Sequence, residues 1–135
     1  MQQYIVLLGR VLFSAIFIMS ALAGHFSSKT IAFAGSQGVP MPYLFVPLFG
    51  LIALAGGLSI LLGYKAKWGA WLIVIFLIPV TFLMHRFWQY QDAFAGKMQM
   101  ALFMKNLSML GAAFLITQFG SGPLSLDNRK HKKKR

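Results

Sequence analysis

Cysteine is absent from all 135 residues, which excludes disulfides, thiolate metal sites and iron–sulfur clusters held by the chain's own side chains. Acid is almost as scarce: Asp92 and Asp127 stand against 13 Lys and Arg, a formal net charge of +11. Paired carboxylates for acid–base work are therefore missing, as are catalytic triads and glycine-rich phosphate loops. Charge of either sign is sparse, at 11% of residues against about 25% in an average soluble domain. A soluble protein this small has too much surface for its volume to cover it with so few charges. The sequence is instead filled with apolar residues, 58% of the total, and lipid tails accept such an exterior.

Four apolar runs are long enough, or nearly so, to cross about 30 Å of hydrocarbon. They lie at about residues 4–23, 43–63, 68–84 and 98–119, and in lipid each must be helical because no water satisfies a bare backbone. The predicted fold class is all-α: a polytopic transmembrane four-helix bundle over residues 1–127, followed by a polybasic tail over 128–135. Between the first two spans, Ser27, Ser28, Gly35, Ser36, Gly38, Pro40 and Pro42 mark a loop with room for a short surface helix. Tyr64-Lys65-Ala66-Lys67 is a tight turn, so the second and third spans are antiparallel neighbours. Residues 85–97 form a polar and aromatic connection, and Gly120-Ser121-Gly122-Pro123 stops the last span.

Orientation follows from the Lys/Arg bias. Lys65, Lys67, Arg129, Lys130, Lys132, Lys133, Lys134 and Arg135 share one side; Lys29, Arg86 and Lys97 share the other. The richer side is predicted to be cytoplasmic, with both termini in. A competing reading treats Arg10, the stretch Val11 to Met19 and Ala21-Leu22-Ala23 as a cleaved signal peptide. The length of the run favours a retained first helix. So basic a chain invites a nucleic-acid reading. Nearly half of the positive charge sits at the very end of the chain, a placement that suits the anionic headgroups of the cytoplasmic leaflet instead.

Small residues four apart, at Ala53/Gly57, Ala55/Ser59/Gly63 and Ser108/Ala112, are expected to mark close helix contacts. Pro47 is expected in the first turn of its helix, and Pro79 inside the third span, where it kinks the helix.

Charges in or beside the spans are the informative residues, because an intramembrane charge is costly. Arg10 lies about two turns into the first span and has a stem long enough to snorkel to cytoplasmic phosphates. Lys105 and Asn106 lie a similar distance into the fourth span from the outer side; about 100° separates them, so one can face the bundle while the other turns aside. Antiparallel topology gathers His25, Lys29, His85, Arg86 and Trp88 with Lys105 and Asn106 at one membrane face. Trp88 and Tyr90 also suit an interfacial belt, and Lys29 and Arg86 suit anchoring. Asp92 is the acid available to these cations, leaving the others for a lipid phosphate, an anionic or carbonyl-bearing ligand, or a partner's acid. His25 and His85 lack the helical spacing of metal or haem ligands, and methionine is a common membrane filler, so no metal site is assigned.

In order along the chain stand Leu8-Gly9-Arg10, Ser20-Ala21-Leu22, Gly38-Val39-Pro40-Met41-Pro42 and Leu62-Gly63. There follow His85-Arg86-Phe87-Trp88, Met104-Lys105-Asn106-Leu107-Ser108 with Gly111, and Gly122-Pro123-Leu124-Ser125-Leu126-Asp127. Taken together these resemble the DoxX family of small bacterial membrane proteins. The resemblance implies a four-helix bundle in the bacterial inner membrane. It also implies a redox setting, since some members are associated with quinone-coupled sulfur oxidation and with oxidative-stress responses. Two positions depart from the pattern: relatives often carry lysine where this chain has His25, and glutamate where it has Ala53.

Three functions are consistent with these readings. The chain is an accessory or quinone-linked subunit of a membrane redox assembly, a small-molecule transporter acting as a homo-oligomer, or an assembly partner of another membrane protein. Quinone is the one cofactor the resemblance offers, and the site residues expected to matter are the outer cluster and Arg10.

Overall fold

Capping chemistry decides where each helix begins and ends. The computed structural model describes residues 1–133, with side chains as far as residue 129, and every regular element among them is helical. In chain order these are α1 (Gln2–Ala23), α2 (Ser28–Ser36), α3 (Pro42–Leu62), α4 (Ala66–Met84), α5 (Ala93–Phe119) and α6 (Leu126–Lys133), with a 3-10 turn at Phe87–Gln89. Helices α1, α3, α4 and α5 are long and apolar enough to cross a membrane. Lys134 and Arg135, the end of the basic tail, lie outside the described residues, and the expected boundary at 127/128 falls inside α6. An even number of spans puts both termini at one membrane face, here the terminal face. The opposite one, carrying α2 and the 3-10 turn, is the loop face.

Two helix starts differ from expectation. Pro42 takes the first position of α3, where its missing N–H has no intrahelical role. Pro47 is therefore the sixth residue of the helix, not a first-turn residue, and leaves the carbonyl of Tyr43 without its helical donor. Helix α5 begins at Ala93 rather than near Met98 because the Ala95 N–H donates to the Asp92 carboxylate at 2.7 Å, a standard cap. Asp92 was expected to neutralise an outer cation; its carboxylate is committed to the helix end instead. The ends at Gly63 (φ 63°) and Gly120 (φ 74°) use the left-handed backbone that favours glycine.

Helix α4 is central, with α3 on one side and α5 on the other, and α1 packs on α3. Phe17 of α1 reaches past α3 to meet Phe76 of α4 edge to face, ring centroids 6.1 Å apart. Phe17, Ile60, Ile73 and Leu77 are fully buried. The α3–α4 crossing is a backbone contact: a β-carbon on Gly56 would sit 2.8 Å from the Gly69 carbonyl oxygen. Gly57 opens the adjoining face to Ser14, Phe17 and Ile18 of α1, so the expected Ala53/Gly57 stripe is a contact face, with Ala53 buried.

The other two stripes differ. Ser59 packs on Gly69 and Gly63 meets the C-terminal segment, while Ala55 faces outward. On α5 the buried positions are Asn106, Ala113 and Thr117. Ser108 is exposed, its hydroxyl donating to the Lys105 carbonyl at 2.8 Å, so it needs no neighbouring helix. Leu8, Leu12, Leu51, Trp68, Ile75 and Phe114 point outward, a surface that would aggregate in water and suits lipid.

At 27 residues α5 is about 40 Å long, against about 28 Å for the 19 residues of α4.

Candidate functional site

Arg10 does not snorkel. It is 6% exposed and turned inward, because folding brings four carbonyls to it. Nη1 donates to Ser121 at 2.8 Å and Pro123 at 3.4 Å; Nη2 donates to Leu124 at 2.9 Å and Leu61 at 3.5 Å. A guanidinium fork spreads its charge over several acceptors where an ammonium would not. Nε and the Ser14 hydroxyl, one turn along α1, are buried without a partner among the described residues.

The segment that Arg10 holds is tied down twice more. The Asp127 N–H donates to the Gly63 carbonyl at 2.8 Å, and the Asp127 carboxylate accepts from the N–H groups of Lys65 at 2.8 Å and Ala66 at 3.2 Å. An acid from the far end of the chain thus caps α4, satisfying two N–H groups at the positive end of that helix. Ser125 donates to the Gly122 carbonyl at 2.7 Å and accepts from the Asn128 N–H at 3.2 Å, starting α6. Together these form a latch at the terminal face. Both of the chain's carboxylates, Asp92 and Asp127, are helix caps.

The outer cluster is divided among three places. Lys29 is on the exposed side of α2, and His25 packs on the bundle, its ring centroid 5.4 Å from that of Phe76. His85 Nδ1 is 2.9 Å from Gln99 Oε1, Arg86 Nε donates to the Phe82 carbonyl at 3.2 Å, and Trp88 stands edge-on to Phe87 and Phe103 with centroids 5.2 Å and 6.1 Å away. On α5, Lys105 is exposed and Asn106 is 4% exposed. No hydrogen bond or ring contact among the described residues joins Lys105 or Asn106 to His85 or Trp88.

One member of the cluster does line a cavity. A pocket of about 210 Å³ lies between α2, α3 and the loop-face end of α4. Its walls are His25 and Thr30, Ala34 of α2, the Val39-Pro40 turn, Phe45, Val46 and Phe49 of α3, and Pro79, Val80, Leu83 and Met84 of α4. Pro79 contributes an apolar ring and no N–H, leaving the carbonyl of Ile75 without its helical donor. His25 reaches the pocket because Gly50 has no side chain: a β-carbon there would sit 3.0 Å from the imidazole Cγ. Its Nδ1 is 3.0 Å from the Ser20 carbonyl oxygen. Ala53, the other departure from the family pattern, follows Gly50 by one turn on the same buried face of α3.

The sequence reading missed both arrangements in this form. The latch joins residues up to 114 positions apart, and its single local signal is Ser125-Leu126-Asp127-Asn128, a helix-start pattern. The pocket has a carbon lining that composition does not distinguish from core.

The DoxX family model matches residues 5–86, which span α1 to α4. The inner membrane protein YqjF of Escherichia coli K12 is 30% identical over 132 residues, 95% of this chain and 93% of that protein. The inner membrane protein YphA of the same organism is 29% identical over 100 residues, 74% of this chain and 71% of that one. The ER-derived vesicles protein ERV29 of Saccharomyces cerevisiae is 26% identical over 80 residues, 59% of this chain and 26% of the yeast protein. No solved structure matches the chain. Two inner-membrane relatives and four apolar spans make this an inner-membrane protein.

Proposed function

The chain belongs to the DoxX family, and on that footing we propose that it is a ligand-holding accessory subunit of a membrane redox assembly, taking a quinone-class ring into the pocket beneath α2. The observation that carries this reading is the pocket itself: about 210 Å³ of carbon-lined space at the loop-face end of the bundle, with one imidazole in its wall. A dry cavity of about 150 Å³ already accepts benzene, so a substituted single ring has room. The commitment of both carboxylates to helix caps supports an accessory role. The redox setting rests on the family resemblance.

In this reading both termini are cytoplasmic. The latch holds α6 beside the Lys65–Lys67 turn, which concentrates basic residues where anionic headgroups would meet them.

The test is retention of a short-chain ubiquinone by the protein in nanodiscs, compared with empty nanodiscs and with Ala34→Leu, which fills the pocket. Retention by the native protein, lost in the variant, is the expected result. Equal retention in all three would end the proposal.

One observation favours the assembly-partner reading as well: α5 is the least buried of the four spans, leaving a broad face open to another membrane protein or a second copy. A stoichiometric partner in native mass spectrometry would support it, and a lone monomer would remove it.

A further inference from the structure

Two residues of the latch have backbones that need an outside hold. Lys65 (φ 49°) and Leu124 (φ 53°) are left-handed although each has a bulky side chain, a state that costs energy and persists where its surroundings fix it. Each is fixed by a latch bond. The Lys65 N–H donates to the Asp127 carboxylate at 2.8 Å, and the Leu124 carbonyl accepts from Arg10 Nη2 at 2.9 Å. This strain sets the positions of cations. Lys65 and Lys67 are exposed in the turn, and the exposed Arg129 follows Asp127 by two residues in the first turn of α6. The Lys67 stem is seated against the end of α5, where a β-carbon on Gly120 would be 3.4 Å from its Cε. Lys65 Nζ is 5.8 Å from the Tyr64 ring centroid. Asp127, the acid beside them, has its carboxylate turned to the N–H groups of Lys65 and Ala66 and to the Ser121 hydroxyl. No lysine or arginine side chain donates to it among the described residues.

We infer that the terminal face holds a preformed site for the phosphate of one anionic phospholipid, built by Lys65, Lys67 and Arg129 and kept in register by the latch. The flanks decide for a lipid over a soluble anion. Leu62 (54% exposed) closes α3 and Trp68 (73% exposed) opens α4 on either side of the turn, apolar surface for acyl chains with an indole suited to headgroup depth. A flexible basic tail would also attract an anionic membrane, but in proportion to its charge alone. A preformed site differs, since its cations are ordered before the lipid arrives. Its affinity then depends on the latch, including the latch's own acid. This takes further the placement of α6 beside the turn given under the proposed function, and it stands or falls apart from the pocket and from which leaflet the face meets.

The test counts lipids retained on the protein, by native mass spectrometry after release from nanodiscs holding equal phosphatidylglycerol and phosphatidylcholine. Preferential retention of one phosphatidylglycerol is the expected result. Lys65→Gln with Lys67→Gln and Arg129→Gln should lower that preference by about tenfold or more. Lys132→Gln with Lys133→Gln and Lys134→Gln, which removes the same charge from the end of the tail, should leave most of it. Asp127→Ala is the sharper arm: it makes the chain more basic, so charge alone predicts more phosphatidylglycerol, whereas loss of the latch predicts less. Arg10→Met loosens the same segment from within the bundle and serves if Asp127→Ala fails to fold. Equal losses in the two triple variants, or retention in Asp127→Ala at or above the native level, would overturn the inference in favour of diffuse tail charge. Inorganic phosphate that displaces the phosphatidylglycerol, and binds when phosphatidylcholine is the sole lipid, would assign the site to a free anion and equally overturn it. No preference in the native protein would end the inference and leave the pocket reading untouched.

Discussion

Replacing Arg10 with methionine separates two roles that a buried cation can play. The substitution deletes the two short bonds to Ser121 and Leu124, at 2.8 Å and 2.9 Å. A hydrogen bond involving a charged group contributes about 1.5–3 kcal/mol net, so the pair anchors the 121–127 segment by about 3–6 kcal/mol. The contacts at 3.4 Å and 3.5 Å add little. Against this, methionine removes a cation that is 6% exposed and has an unpartnered Nε, and apolar replacement of buried charge is often neutral for the whole fold. The loss is therefore local. At 1.4 kcal/mol per factor of ten, exchange protection of the Asp127 N–H, which donates to Gly63, should fall by about 10²- to 10⁴-fold. Amides around Ile73 and Leu77 should keep theirs. Hydrogen exchange in nanodiscs, read by mass spectrometry after proteolysis, reports both. Unchanged protection at Asp127 would refute the anchoring argument. Equal loss at Ile73 and Leu77 would show that Arg10 holds the bundle itself.

Other substitutions test the remaining assignments. Asp92→Ala should lower stability by about 1 kcal/mol through loss of the α5 cap, with Asp92→Ser recovering most of it, as a thermal melt in detergent would show. Gly63→Ala should lower the melting temperature, since its φ of 63° is unfavourable for alanine and the added carbon would meet Ser125 and Arg10. Lys105→Met should match Lys97→Met in stability and ligand retention, both lysines being exposed; a selective loss in the Lys105 variant would restore that residue to a site. A cytoplasm-sensing reporter fused after Arg135 should be active, and activity of a periplasm-only reporter would reverse the orientation.

The parts legible in the sequence were those governed by local rules. Hydropathy located four spans within a few residues, and Gly120 and Gly63 announced two helix ends because left-handed backbone favours glycine. Asp92 also carries a local signal, an acid preceding a helical run, which competes with the counter-ion reading that the scarcity of acids suggests. What was hidden depended on tertiary proximity. Arg10 finds its acceptors at positions 121–124, and nothing in Leu8-Gly9-Arg10 says that a chain end returns to it. Asp127 caps a helix 61 positions earlier, a relation no window can detect. The 100° between Lys105 and Asn106 is legible, and it turns one outward and the other to the bundle; that Asn106 is the inward one depends on the packing of α5. His25 was singled out for charge, yet its place in the pocket follows from the bareness of Gly50, an absence on another helix.

The unequal lengths of α4 and α5 bear on how the lysine at 105 tolerates its depth. At the terminal face the two helices are nearly level, since Gly120 lies against the Lys67 side chain. The eight extra residues of α5, about 12 Å of helix, therefore rise beyond the loop-face end of α4. Lys105 is about 18 Å below the top of α5, which leaves it only about 6 Å below the end of α4. Helical side chains lean toward their own N-terminus, and for α5 that direction is outward. A long helix whose surplus lies all at one end thus sets Lys105 near the loop-face rim of its shorter neighbour, with its ammonium leaning toward that rim.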